Sequence, residues 1–166
     1  MTDMQTILVG QRDAFMAELP VTKAVRLDRL KRAAAMVRDN AAAFCDAVSE
    51  DFGHRSREQT MITDIGASLA PIAHAAKHLD RWMKRERRAV QFPLGLLGAR
   101  AWVEYQPKGV IGIIAPWNFP VNLLMAPLAG VLAAGNRAMA KTSEYTPATA
   151  ALFDDLVPKY FAQDEF

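Results

Sequence analysis

The stretch Gly109-Val110-Ile111-Gly112-Ile113-Ile114-Ala115-Pro116-Trp117-Asn118-Phe119-Pro120 decides how the chain is read. Its apolar, β-branched run from Val110 to Ala115 lacks polar alternation, the pattern of a short strand buried on both faces. Pro116 and Pro120 stop that strand and restrict φ on either side of Asn118. The segment Val121 to Ala134, rich in Leu and Ala, reads as a helix that Gly135-Asn136 terminates. Arg137 to Lys141 is a second short strand. Thr146 and Pro147 then open a last helix as N-cap and first helical residue, with Ala150, Leu152, Phe153, Leu156, Val157 and Tyr160 as its apolar positions. Ligands of parallel α/β sheets bind beyond the carboxyl ends of the strands, so Asn118 stands at the functional edge.

Upstream the chain reads as helices. Met4, Ile7, Leu8, Phe15 and Leu19 recur at helical spacing after a Thr2 or Asp3 cap, and Pro20 closes the segment. Thr22 caps a second helix through Val25, Leu27, Leu30, Ala34 and Val37. A third starts at Asp39 or Asn40, turns Ala43, Phe44, Ala47 and Val48 inward, and ends at Gly53, where a left-handed residue is wanted. Ser56 opens a long fourth helix through Met61, Ile65, Leu69, Ile72, Ala76, Leu79 and Trp82, with a kink or break expected near Ala70 because of Pro71. The cluster Lys84 to Arg88 reads as its solvated end, and Glu58, Asp64 and Asp80 as solvated helix charge. Turn-rich Gln91 to Gly98 and a strand at Ala101 to Gln106 lead back to the opening stretch.

The fold class that follows is α/β: N-terminal helices, a strand/hairpin segment, and an incomplete Rossmann-like β-α-β-α unit. The divisions are residues 1–88, helical; 89–108, the β/turn connection; and 109–166, the first part of a cofactor-binding domain. Two βα units do not cover both faces of a doubly wound sheet, so the chain is expected to be cut short.

Composition narrows the function. A net charge of +2, from 20 basic and 18 acidic residues, gives no case for nucleic acid. Gly109 to Asn136 carries no charge and exceeds the ~20 apolar residues that span a bilayer, but Pro116, Pro120 and Pro127 divide it into a strand and a helix, so no membrane partner is expected. One cysteine, Cys45, fits a reducing cytoplasm, and no secretory signal opens the chain.

Few residues carry chemistry. The Asn118 carboxamide either donates to an oxyanion forming at the strand end or caps the helix that begins near Pro120. Lys141 and Glu144 either straddle a ribose, one donating to a hydroxyl and the other accepting from one, or are a surface lysine and a first-turn glutamate. Neither Gly-x-Gly-x-x-Gly nor a P-loop occurs. Cys45 falls on or near an apolar helix face, where buried structural thiols are common. His74 and His78 have ligand spacing without a third ligand, so no metal is expected.

Gly109 to Pro120, Ala133-Ala134-Gly135-Asn136 and Lys141-Thr142-Ser143-Glu144 together resemble the NAD(P)-dependent aldehyde dehydrogenase superfamily, class 3-like. Asp51 to Thr60 and Gly135 to Met139 look like bacterial coniferyl aldehyde dehydrogenases. The resemblance implies oxidation of an aldehyde to an acid through a thiohemiacetal, with hydride transfer to NAD and NADP as the second option. Asn118 matches the oxyanion-stabilising Asn. Ile114, Ala115, Pro116 and Trp117 match the strand end lining the cofactor, and Lys141, Ser143 and Glu144 the segment holding the adenosine ribose. Thr142 stands where the family usually has Pro. The family's catalytic cysteine, general-base glutamate and glycine-rich segment lie downstream in much longer chains, and Cys45 aligns with none of them. The resemblance therefore implies the N-terminal part of such an enzyme, not self-sufficient for catalysis, forming a homodimer or other homo-oligomer. A non-catalytic interaction module derived from the family is the alternative.

Overall fold

The computed structural model describes residues 3–166. It opens with α1 (Met4–Glu18), α2 (Lys23–Asp39) and α3 (Ala41–Phe52). Thr22 Oγ1 accepts the Val25 N–H at 3.3 Å, and Gly53 closes α3 with φ of 78°, both as expected from the residue types. Asp3 occupies the N-cap of α1 without a side-chain bond, and Thr2 lies outside the described residues. In α3 the inward face carries Phe44, Cys45 and Val48, whereas Ala43 is exposed.

The fourth helical stretch differs from the expected kink near Ala70. It runs without a break from α4 (Arg57–Thr60) through a π-helical turn (Met61–Gly66) into α5 (Ala67–Trp82), with Pro71 inside α5. The irregularity falls on the π turn, where Gly66 admits it: a Cβ there would stand 3.2 Å from the Met61 carbonyl. Widening the turn shifts the phase of the helix. Asp64 and its neighbour Ile65 are both buried, while Met61 faces solvent.

The Lys84–Arg88 cluster is not a helix end. Helix α5 stops at Trp82, and β1 (Glu86–Arg88) pairs antiparallel with β2 (Ala101–Val103), Arg87 opposite Trp102. Partners across the hairpin decide this: Arg85 Nε donates to Glu104 at 2.8 Å and its guanidinium lies 5.1 Å from the Trp102 ring centre. A 3₁₀ turn at Leu94–Leu97 joins the strands and leaves Phe92, Leu96 and Leu97 exposed.

Strands β3 (Val110–Ile114) and β4 (Arg137–Lys141) are parallel, Val110 opposite Arg137 and Ile114 opposite Lys141. Helix α6 (Asn122–Ala133) crosses between them and α7 (Pro147–Tyr160) follows β4. The expectation of a strand buried on both faces fails for β3. Ile113 is buried, but Gly112 and Ile114 are exposed because nothing among the described residues lies over that side. The link from α6 to β4 is a Schellman motif, with Gly135 N–H on Leu132 O and Asn136 N–H on Val131 O, both at 3.0 Å. Buried Asn136 then turns its Oδ1 to the Lys108 and Gly109 N–H groups, at 2.6 and 3.0 Å, and so joins the start of β3 to that of β4.

The core lies where α2, α3, α5, α6 and α7 meet. Leu30, Met36, Phe44, Leu79, Leu124, Met125, Leu128 and Leu132 have no appreciable exposure. Each such side chain contributes about 1.5–3 kcal/mol of burial. The helical half and the βα unit therefore share one core, which fixes what the helices can reach in the Pro116–Pro120 turn.

Candidate active site

The turn after β3 begins where the parallel ladder ends, with the Ala115 N–H donating to Lys141 O at 2.9 Å. Helix α6 starts four residues beyond Asn118, and its first N–H groups are capped from another part of the chain. Asp64 Oδ1 accepts the Val121 N–H at 3.1 Å and the Asn122 N–H at 3.2 Å. The capping role open to Asn118 thus falls to Asp64. Asn118 is anchored by its backbone carbonyl, which accepts Arg55 Nη1 at 2.9 Å. Among the described residues its carboxamide makes no hydrogen bond. Exposed, Asn118 borders a cleft of about 560 Å3 with Phe52, His54, Ser56, Gln59 and Phe119. A free N–H₂ at the rim of an aromatic cleft has the chemistry of a donor to a negatively charging oxygen.

Arg55 and Asp64 form the support. Their side chains are 6% and 0% exposed, with Arg55 Nη2 at 3.3 Å from Asp64 Oδ2 and 3.2 Å from Thr63 Oγ1. The guanidinium sits between the rings of Phe52 and Phe119, 4.9 and 4.7 Å from their centres. Burial pushes the Asp64 carboxyl above the usual carboxylate range, against the pull of the Asn122 N–H and the Arg55 charge. The expectation that Asp64 is solvated is therefore wrong, whereas Glu58 and Asp80 are exposed. A strict 3.6-residue period places Ile65 inward and Asp64 off to the side; the π turn brings both in. An aspartate beside an inward position, two residues before a mid-helix glycine, is the local sign that sequence reading passed over.

The strand-end residues divide by exposure. Ile114 is 82% exposed and Trp117 51%, Ala115 is buried, and the Trp117 ring lies 6.2 Å from that of Phe52. At the end of β4, Lys141 Nζ meets Glu144 Oε2 at 2.8 Å on the open surface, and this partner holds the Glu144 carboxyl below its usual range. Ser143 is buried, and its Oγ accepts the Tyr145 N–H at 3.2 Å, a role internal to the turn. Thr146 likewise spends its hydroxyl on Ser143 O at 3.4 Å, and the capping expected of it passes to Asp51. An adenosine ribose fits these residues. Exposed apolar surface from β3 adjoins a donor and an acceptor at the end of β4, and an exposed ion pair opens at little cost.

Cys45 is 1% exposed, its Sγ nearest a hydrogen-bond partner at the Arg57 carbonyl, 3.9 Å away, and burial pushes its thiol pKa up. It has the character of a core residue and not of a nucleophile. His74 and His78 stack at 4.1 Å on the surface of α5. No helix among the described residues is long and apolar enough to cross a membrane.

Residues 4–160 match the profile of the aldehyde dehydrogenase family. The coniferyl aldehyde dehydrogenase of Pseudomonas sp. (strain HR199 / DSM 7063) is 49% identical over 154 residues, which is 93% of this chain and 31% of that protein. The probable coniferyl aldehyde dehydrogenase of Caulobacter vibrioides is 47% identical, over 98% of this chain and 34% of its own length. Aldehyde dehydrogenase family 3 member B1 of Rattus norvegicus is 32% identical over 93% of this chain and 32% of its own. Among solved structures, the substrate-bound state of Staphylococcus aureus AldH superposes with a TM-score of 0.90 at 28% identity, covering 99% of this chain and 35% of that one. The chain thus spans about a third of the length of the relatives it matches. With residues 4–160 matched by the family profile and 99% of the chain superposed on a solved member, the chain belongs to the aldehyde dehydrogenase family.

Proposed function

We propose that this chain supplies the oxyanion-stabilising part of an NAD-dependent aldehyde dehydrogenase site whose substrate is an aromatic aldehyde of the coniferyl type. The observation that carries this reading is Asn118: its helix-capping role is taken by Asp64, its carbonyl is held by Arg55, and its carboxamide is left free at a cleft bordered by Phe52 and Phe119. Attack on an aldehyde carbon by a thiolate, which this reading assigns to the rest of the enzyme and not to buried Cys45, moves the carbonyl π pair onto the oxygen. The Asn118 N–H₂ donates to that oxygen, and the flanking rings suit an aryl substrate.

NAD, when bound, accepts the hydride. Ile114, Pro116 and Trp117, with buried Ala115 among them in the turn, would hold it by their exposed surface, and Lys141 and Glu144 would donate to and accept from its ribose hydroxyls. Ser143 holds the turn between them. The Glu144 carboxylate repels a 2′-phosphate, which favours NAD over NADP. In this reading the helical segment expected over residues 1–88 ends at Trp82, strand β1 from Glu86 joins the β/turn connection expected over 89–108, and residues 109–166 are the first part of the cofactor domain. The exposed Phe92, Leu96 and Leu97 of the hairpin support a homodimer or other homo-oligomer. The lone, buried Cys45 suits a cytoplasmic setting.

Two measurements test the proposal. The chain alone, given NAD+ and coniferyl aldehyde, forms no NADH, because its one thiol is in the core; NADH formation overturns that assignment. Joined to the remaining part of the Pseudomonas relative, the chain restores turnover, and Asn118→Ala lowers kcat by ~10²–10³-fold. A kcat unchanged in Asn118→Ala removes the oxyanion role.

A further inference from the structure

The two prolines of the turn do not by themselves hold Asn118. Pro116 and Pro120 fix their own φ and restrict the residues that precede them, Ala115 and Phe119. The dihedrals of Trp117 and Asn118 stay free of covalent restraint. One group removes that freedom: Arg55 Nη1, bonded to the Asn118 carbonyl at 2.9 Å. The same guanidinium reaches Asp64 through Nη2, and Asp64 holds the N–H groups of Val121, the N-cap of α6, and of Asn122, its first residue. Arg55 and Asp64 thus hold the turn at its middle and just beyond its far end.

We propose that Arg55 is a positioning residue for Asn118, setting the plane of its carbonyl and thereby the direction in which its carboxamide faces the cleft. This rests on the oxyanion role of Asn118 argued above. Stability alone does not account for the pair. Arg55 Nε and Asp64 Oδ2 are buried without hydrogen bonds, and a buried ion pair commonly adds little over an apolar replacement. What it provides is a single geometry. The planar fork is clamped between the Phe52 and Phe119 rings, so it has one orientation from which to reach the Asn118 carbonyl and Asp64 together. A lysine has neither the fork nor the flat faces.

The first test uses the chain itself. In ¹⁵N spectra, Arg55→Met is expected to broaden or shift the Asn118 carboxamide pair, while the Val121 and Asn122 amides keep their protection through Asp64. An Asn118 signal that does not change overturns the proposal. The second is a double-mutant cycle in the chain joined to the Pseudomonas relative. Arg55→Met is expected to lower kcat by about 10²-fold, the cost of misplacing a reacting group by an ångström, with the KM for NAD+ unchanged. Arg55→Lys recovers only a small part of the loss, and Arg55→Met in the Asn118→Ala background has no further effect. If Asn118→Ala is costly while Arg55→Met is harmless or additive to it, Arg55 has no positioning role and the Asn118 reading survives. If Asn118→Ala is harmless, the oxyanion reading falls, and this inference with it, whatever the spectra show.

Discussion

Asp51 holds Thr149 twice, its Oδ2 accepting the Thr149 backbone N–H at 2.9 Å and the hydroxyl at 2.6 Å, while its Oδ1 takes the Ala148 N–H at 2.8 Å. A carboxylate from the end of α3 therefore caps α7, as Asp64 caps α6. Both helices that follow a strand of the parallel pair receive their caps from the helical half of the chain. Each carboxylate sits where the helix dipole favours negative charge and satisfies N–H groups that have no partner within the helix. The two halves are joined by these bonds as well as by the shared core.

Replacing Asp51 by Ala removes all three bonds. The expected loss is about 1–3 kcal/mol in chemical denaturation, with the first-turn amides of α7 losing exchange protection before those of α6. A midpoint unchanged from wild type shows that the cap carries no stability.

Gly135 has φ of +83°, and a Cβ there would lie 2.8 Å from Arg26 Nε. Buried Arg26 has little room to move, since it donates to Val21 O and Ala133 O, both at 3.2 Å. Gly135→Ala is therefore expected to cost ~1–3 kcal/mol through backbone strain and displacement of the guanidinium. Thermal melting checks this, and the loss should exceed that of Gly130→Ala, whose added Cβ meets nothing within 4 Å.

Glu165 is expected to contribute to the acid limb of stability. Burial alone would raise its pKa, but Arg32 and Arg29 with the Ala162 N–H hold it down from 4.5 to about 2. A pKa lowered in the folded state stabilises at pH above the unfolded value and ceases to do so as pH falls through the folded one. The melting temperature should decline as pH is lowered from 4.5 towards about 2, and in Glu165→Gln this limb should flatten while stability near neutrality drops. A wild-type limb that persists in the variant assigns the acid loss to other carboxylates.

Cofactor choice is expected to turn on Glu144. In the chain joined to its Pseudomonas relative, Glu144→Gln should improve NADP+ binding relative to NAD+ by about tenfold, as the like charge facing a 2′-phosphate disappears. Lys141→Met should weaken both. A ratio of dissociation constants that stays constant in Glu144→Gln moves the adenosine ribose elsewhere.

Much of this protein is local, and the sequence by itself determined it. The β3–turn–α6 order follows from an apolar β-branched run stopped by two prolines. The ends of α2, α3, α6 and α7 follow from Thr22, Gly53, Gly135 and Pro147, whose preferences act within a few bonds. Asn118 at the strand end was legible for the same reason, as were Lys141 and Glu144. What the tertiary structure alone decided depends on partners far along the chain. Asp64 turned from a solvated charge into a buried cap because a π turn altered the phase of its helix. Arg55 acquired its place because Phe52, Phe119 and Asp64 converge on it, across 63 residues to the Asn118 carbonyl. Glu86 to Arg88 became a strand because Ala101 to Val103 lies alongside. Propensity and periodicity act over one or two turns, whereas burial and pairing are set by which elements meet. The place of Asn118 at the strand end is thus a property of the sequence, and the bond that holds its carbonyl a property of the fold.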